Sequence, residues 1–205
     1  MKVPTLQEAR AFLAEARARN PGAWVDHSVV VARAAEAIAT YHPALDPYDS
    51  YVMGLLHDIG RREGVTGVRH IVDGYRFLEE KGFEDAARIC LTHSFPIQDA
   101  RVMFSKWDCS EEEARFVKDY LAQVEYTNYD RLFQLCDALA LPSGFCLIEK
   151  RLVDAALRHG INEHVVPKWR ATLDIQQAFE KTIGRSIYSV LPGVMENTFG
   201  LEPKG

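Results

Sequence analysis

Gly54-Leu55-Leu56-His57-Asp58-Ile59-Gly60-Arg61 is the stretch on which the reading of this chain turns. An apolar run delivers an imidazole and a carboxylate on adjacent residues and then stops at a glycine. Two neighbouring side chains can hold one cation only if other elements complete its shell, so the pair directs attention to further ligands. His27 precedes it in Trp24-Val25-Asp26-His27-Ser28-Val29-Val30, and His70, His93 and Asp137 follow it. Each lies close to apolar residues able to carry it into a core.

The surrounding pattern is helical. Leu6, Ala9, Phe12, Leu13 and Ala16 keep a 3.6-residue period, with Thr5 and Glu8 spaced as a capping box and Asn20-Pro21-Gly22 as the stop. A second helix is expected at about 23–40, carrying His27. A third, after Pro47, should end at Gly60 and so place His57 and Asp58 in its last turn. Helices are expected next at 68–81, opened by His70, and at 84–93, closed by His93 before Pro96. Ser110 and Glu113 mark a second capping box, starting a helix that reaches about 124. The helix at 129–139 holds Asp137 among Leu132, Phe133, Leu135 and Cys136. Pro142-Ser143-Gly144 breaks the chain, two helices follow at about 145–158 and 163–183, and the last twenty residues are weakly patterned. No segment alternates apolar and polar residues for long and no repeat is visible, so the fold class expected is all-α.

Composition sets the frame for that fold. The chain has 205 residues, 47% hydrophobic and 26% charged, which suits one domain over 1–205 with a core of its own. A net charge of −5, with the signs intermixed, argues against a nucleic-acid-binding surface. No stretch approaches the ~20 apolar residues of a membrane span, and the N-terminus lacks the order of a secretory signal. The expectation is a cytoplasmic protein with no membrane partner. Cys90, Cys109, Cys136 and Cys146 show no CxxC spacing and are read as small structural residues, neither a disulfide framework nor a thiolate zinc site.

Ligand types suggest the chemistry. His27, His57, Asp58 and Asp137 would offer a cation two nitrogens and two anionic oxygens, leaving positions open for water or substrate. That mixture suits iron, manganese, cobalt or nickel better than zinc, magnesium or calcium. If Asp58 bridges with its second oxygen, His70 and His93 can hold a second divalent ion about 3.5–4 Å from the first. Taken singly, each histidine is explained by a helix cap or a hydrogen-bonded pocket, and Asp137 by a salt bridge. The joint pattern is what those separate explanations miss. His42, His159 and His164 have no partners at metal-ligand spacing and are assigned surface or capping roles.

The residues His27, His57-Asp58 and Asp137, in order within about 23–141, resemble the H…HD…D signature of the HD superfamily of metal-dependent phosphohydrolases. Leu55-Leu56-His57-Asp58-Ile59-Gly60 is its most specific part, and His70 and His93 are similar to the extra histidines of the two-metal branch. The resemblance implies an HD-type helical bundle with additional C-terminal helices from about 145 onward. It also implies hydrolysis of a small phosphate ester or anhydride, such as a nucleotide or dinucleotide, by a metal-activated water. Asp58 would bridge and align. Arg61 or Arg62, standing where the family often has lysine, would hold the phosphoryl oxygens, with Lys106 and Arg101 as weaker candidates for that work. Gly74-Tyr75 partly matches the signature of cyclic dinucleotide phosphodiesterases, but it lacks the proline and the flanking HHE pattern, so that substrate is not implied. Two alternatives remain open at this point. Mixed-valent di-iron oxygenases of the same superfamily use nearly the same ligand order, and a binding module could keep the ligands without turnover. The C-terminal region could close the site or make a subunit contact, and Trp169, Phe179 and Ile183 are assigned to core.

Overall fold

A computed structural model of the chain describes residues 1–103 and 107–201. Helix α1 (Leu6–Arg19) starts at the Thr5/Glu8 capping box, and α2 (Ala23–Ala39) follows a two-residue break beyond its Asn20 cap. Helix α3 (Pro47–Leu56) is begun by Asp46, whose carboxylate accepts from the Asp49 amide, with proline at the first turn. Its end differs from expectation. The α-helix stops at Leu56, His57 caps it, and Ile59–Glu63 tighten into a 3-10 turn. Asp58 therefore sits at a joint between two helical geometries, where the backbone changes direction.

Helices α4 (Arg69–Glu79) and α5 (Glu84–Thr92) follow, then a 3-10 turn at Ala100–Val102. Helix α6 (Glu111–Gln123) is opened by the Ser110/Glu113 box and α7 (Asn128–Ala138) by a Thr127/Asp130 box. The Pro142-Ser143-Gly144 break is a tight antiparallel hairpin, β1 (Ala140–Leu141) on β2 (Gly144–Phe145), with Ala140 opposite Phe145. After it come α8 (Ile148–His159) and α9 (Val165–Ile183), a 3-10 turn at Ile187–Val190, and α10 (Val194–Phe199). The weakly patterned C-terminus thus forms structure because Ile187, Leu191 and Val194 are buried in the core. Apart from the two-residue strands, the described elements are helical, and the fold is all-α.

Two glycines explain how the HD turn meets its neighbours. A Cβ on Gly54 would lie 2.4 Å from the Ala32 Cα, so the bare α-carbon lets α3 close onto the alanine-rich face of α2. A Cβ on Gly60 would lie 1.9 Å from the His70 carbonyl oxygen and 2.4 Å from the Gly74 amide. The 3-10 turn therefore crosses α4 backbone to backbone, Gly60 over Gly74, and that crossing brings Asp58 to His70. Gly74 is a packing residue, with Cys90 Sγ 3.0 Å from its would-be Cβ. Cys90, Cys136 and Cys146 are buried free thiols, as small hydrophobes are.

The main core runs from Ala9 through Ile38, Leu56 and Phe133 to Phe179 and Val194, and a smaller cluster of Ile71, Leu91, Phe95, Val117 and Leu121 lies under α4, α5 and α6. Leu56 and Ile59, in the first, flank His57-Asp58. Ile71 and Leu91, in the second, lie next to or near His70 and His93. Each fully buried leucine or isoleucine contributes roughly 1.5–3 kcal/mol, so apolar packing on both sides holds the polar residues between. No helix among the described residues is long and apolar enough to cross a membrane.

Candidate metal centre

Three histidines are oriented by the backbone in the same way. His57 Nδ1 lies 2.8 Å from the Gly54 carbonyl, His70 Nδ1 2.6 Å from that of Gly67, and His93 Nδ1 3.0 Å from that of Ile89. A carbonyl oxygen only accepts, so the proton belongs on Nδ1 in each ring and Nε2 keeps its lone pair. This is the outer hydrogen bond that orients metal-binding imidazoles. Burial pushes the His57 imidazole down, and that of His93 down to about 3, so both rings stay neutral and available as ligands.

The bare nitrogens converge on Asp58. Its Oδ1 lies 3.1 Å from His70 Nε2 and 3.7 Å from His93 Nε2, while Oδ2 is 4.0 Å from His57 Nε2. His57 Nε2 and Asp58 Oδ1 are buried without a hydrogen-bond partner. Two acceptors facing each other across about 3 Å, with orphaned lone pairs beside them, need a positive charge between them. The donor set fits a cation. His27, His57 and Asp58 form one group of close ligand atoms, and Asp58, His70 and His93 form another, with all atoms within 4.8 Å inside each group.

Asp137 completes the ring of expected residues from α7. Its Oδ1 lies 2.9 Å from His27 Nε2, and 31% of its side chain is exposed into the cavity. Burial raises its carboxyl, but the His27 hydrogen bond and the Arg151 charge outweigh burial and hold it well below the usual carboxylate range. Asp58 behaves alike. Burial works against its charge, and Arg61, His70 and His57 together reverse that effect. All six sequence-expected ligands, carried by α2, the α3 terminus, α4, α5 and α7, therefore cluster together, and all but His57 line a cavity of about 860 Å³.

The arginines divide. Arg61 Nε donates to Asp58 Oδ2 at 2.6 Å, one of its terminal nitrogens lies 3.5 Å from His70 Nε2, and the side chain lines the cavity. Arg62 does not. It is buried on the far side of the 3-10 turn, pairs with Glu15 of α1, and places its guanidinium carbon 4.1 Å from the Phe77 ring centroid. Adjacent residues of a 3-10 turn point about 120° apart, so both cannot face one pocket. The expectation for Arg62 is corrected: it ties α1 to α4. Arg101 is likewise spent on Asp99, at 2.6 Å, and is exposed outside the cavity. Lys106 lies outside the described residues.

The histidines set aside are partly reassigned. His42 is buried rather than at the surface, its ring 5.2 Å from that of Phe179 and its Nδ1 accepting from the Ala44 amide at 3.2 Å. His164 caps the start of α9, and the side chain of His159 lies outside the described ones. Sequence reasoning missed the remaining cavity wall. Trp24 lines it from α2, and Arg151, Lys168 and Trp169 come from α8 and α9. Trp169 is thus a cavity residue, whereas Phe179 and Ile183 are core. Asp108 is a second omission. It accepts from the Gly67 and Arg69 amides at 2.6 and 2.9 Å and so secures the loop whose Gly67 carbonyl orients His70.

The HD-domain family model matches residues 24–141, more than half of the chain and the segment that spans His27 to Asp137. The chain belongs to the HD-domain family. Among curated proteins and among solved structures, nothing matches it. The HD superfamily comprises metal-dependent phosphohydrolases, and the clustered histidines and aspartates of this HD-domain protein are compatible with divalent metal binding.

Proposed function

We propose that this HD-domain protein is a phosphohydrolase that cleaves a small phosphate ester or anhydride, of the nucleotide or dinucleotide class, with two divalent ions held about Asp58. The observation that carries the reading is the shared carboxylate. Asp58 belongs to both ligand groups, and three backbone-oriented histidines turn bare Nε2 atoms toward it. Divalent ions bound there supply Lewis acidity, acidifying a coordinated water and neutralising phosphoryl charge.

The chain's own residues do the rest. His27, His57 and Asp137 hold one side of the site, His70 and His93 the other, and Asp58 aligns the two. Arg61 holds Asp58 and reaches the cavity, where its planar fork suits two phosphoryl oxygens. The cavity's charges support an anionic substrate. Its acidic residues are Asp58, Asp108, Asp137 and Asp154, and its basic ones are Arg61, Arg151, Arg158 and Lys168. These balance formally, so each divalent ion added makes the cavity net positive. A volume of about 860 Å³ lies in the usual range for small-ligand sites.

The test joins metal analysis to product analysis. Protein loaded with manganese or iron should carry two equivalents, falling to one in His70→Ala and His93→Ala and to none in Asp58→Ala. It should release phosphate or nucleotide from a panel of mononucleotides, dinucleoside polyphosphates, cyclic dinucleotides and simple phosphoesters. One equivalent in every variant would sink the paired site. Dioxygen consumption by a reduced di-iron form, without any phosphate product, would replace hydrolysis with oxygenation.

A further inference from the structure

Arg88 and Arg151 show two ways of using a guanidinium. Arg88 directs Nε and a terminal nitrogen onto Asp130 at 2.7–3.1 Å, so its fork is filled and its role is structural. Arg151 makes only long contacts: 3.3 Å from Nε to the Asp137 carbonyl, 3.7 Å from one terminal nitrogen to Asp137 Oδ1, and 3.5 Å from the other to Asp154. A five-donor group whose described contacts all lie beyond 3.2 Å keeps capacity for a closer acceptor. Its side chain is 17% exposed, and it opens onto the cavity.

Lys168 of α9 lies in the same field. Burial pushes its ammonium pKa down to about 8, with the Asp137 carboxylate acting against that shift and Arg151 acting with it, and its side chain lines the same cavity. Two cations from separate helices thus line the cavity together with Asp137, the most exposed of the metal-centre residues. Trp169, next to Lys168 in sequence, and Trp24 of α2 add aromatic surface to that cavity.

We propose that Arg151 and Lys168 form a second anion subsite, so that this pocket takes a phosphoanhydride chain with one phosphoryl group at the Asp58 cluster and the next on the C-terminal helices. Arg151 contacts Asp137 directly, so the second anionic group is adjacent to the first. Linked phosphates meet that spacing, whereas two phosphates at opposite ends of a molecule do not. The aromatic side chains then suit a base or another flat group carried by the chain. This inference rests on the phosphohydrolase reading for its choice of ligand, but not for its test.

The test is equilibrium binding to full-length manganese-loaded protein at fixed free manganese, followed by tryptophan fluorescence. The probes are orthophosphate and methylenediphosphonate, a hydrolysis-resistant pair of linked phosphorus groups. The wild type should bind the diphosphonate at least tenfold more tightly than orthophosphate. Lys168→Met should lower that preference about tenfold while leaving orthophosphate affinity within twofold and metal content unchanged, and Lys168→Arg should restore it. Arg151→Gln should act in the same direction. An equal preference in wild type and Lys168→Met overturns the subsite even if the enzyme hydrolyses monoesters. A charge-dependent diphosphonate preference without any hydrolysis keeps the subsite and overturns the reaction instead.

Discussion

Gly60→Ala isolates the contact that joins the HD turn to α4. The added methyl would fall 1.9 Å from the His70 carbonyl oxygen, about 1.5 Å inside ordinary contact at 3.4 Å, and 2.4 Å from the Gly74 amide. Both obstacles are backbone in or beside a helix, so no side-chain rotation relieves them, and the turn must move away from α4. Overpacking a tight core site costs about 1–3 kcal/mol, and a rigid backbone partner puts this change at the upper end. At roughly 2–4 °C per kcal/mol for a chain of this size, Tm should fall by about 6–12 °C. The same displacement would widen the 3.1 Å separation of Asp58 Oδ1 and His70 Nε2. Metal–ligand distances tolerate only about 0.2 Å, so the Asp58–His70–His93 group should lose its ion first while the His27–His57–Asp58 group keeps one. Calorimetry and metal analysis on one preparation measure both effects. A variant with wild-type Tm and full metal content would refute the close-crossing argument.

Three other changes probe separate parts of the reasoning. Asp130 is wholly buried and takes bonds from Arg88, Thr92 and Thr127, joining the helices of His93 and Asp137, so Asp130→Ala should cost about 3–5 kcal/mol in urea unfolding; a loss below about 1 kcal/mol would contradict that role. Arg61→Met should reduce kcat/KM for phosphate release by about a hundredfold or more, whereas Arg62→Met should leave it within twofold and show its effect in stability, and the reverse order would exchange the assignments. Glu113 is held below its ordinary value of 4.5 by the Ser110 amide bond and by Arg76 and Arg69, against a burial effect of opposite sign. Its folded pKa is the depressed one, so its stabilisation is full above about pH 4.5 and is lost as pH falls through the folded value. Glu113→Gln should therefore flatten the acid limb of a stability-versus-pH curve below pH 4.5, and an unchanged limb would count against it.

The sequence was legible where local rules act. Thr5/Glu8 and Ser110/Glu113 satisfy helix-end amides with residues three positions apart, and the period of Leu6 to Ala16 follows from helical geometry, so neither needs the rest of the chain. All-α class, the main helices and the clustered residues His27, His57, Asp58, His70, His93 and Asp137 as candidate ligands were readable on those terms, because each residue type and its helix are local properties. Tertiary structure alone decided how those residues face. Gly60 over Gly74 is a contact between segments fourteen residues apart, and it, not the motif, brings Asp58 to His70. Arg61 and Arg62 are equal as sequence, and the turn's rotation sends one to Asp58 and the other to Glu15. Arg151, Lys168 and Trp169 carry no motif, and their place beside Asp137 depends on how α8 and α9 pack back over the cavity. Residue types and periodicity write the candidate ligands into the chain, but a pocket wall is made by long-range packing, which no local pattern encodes.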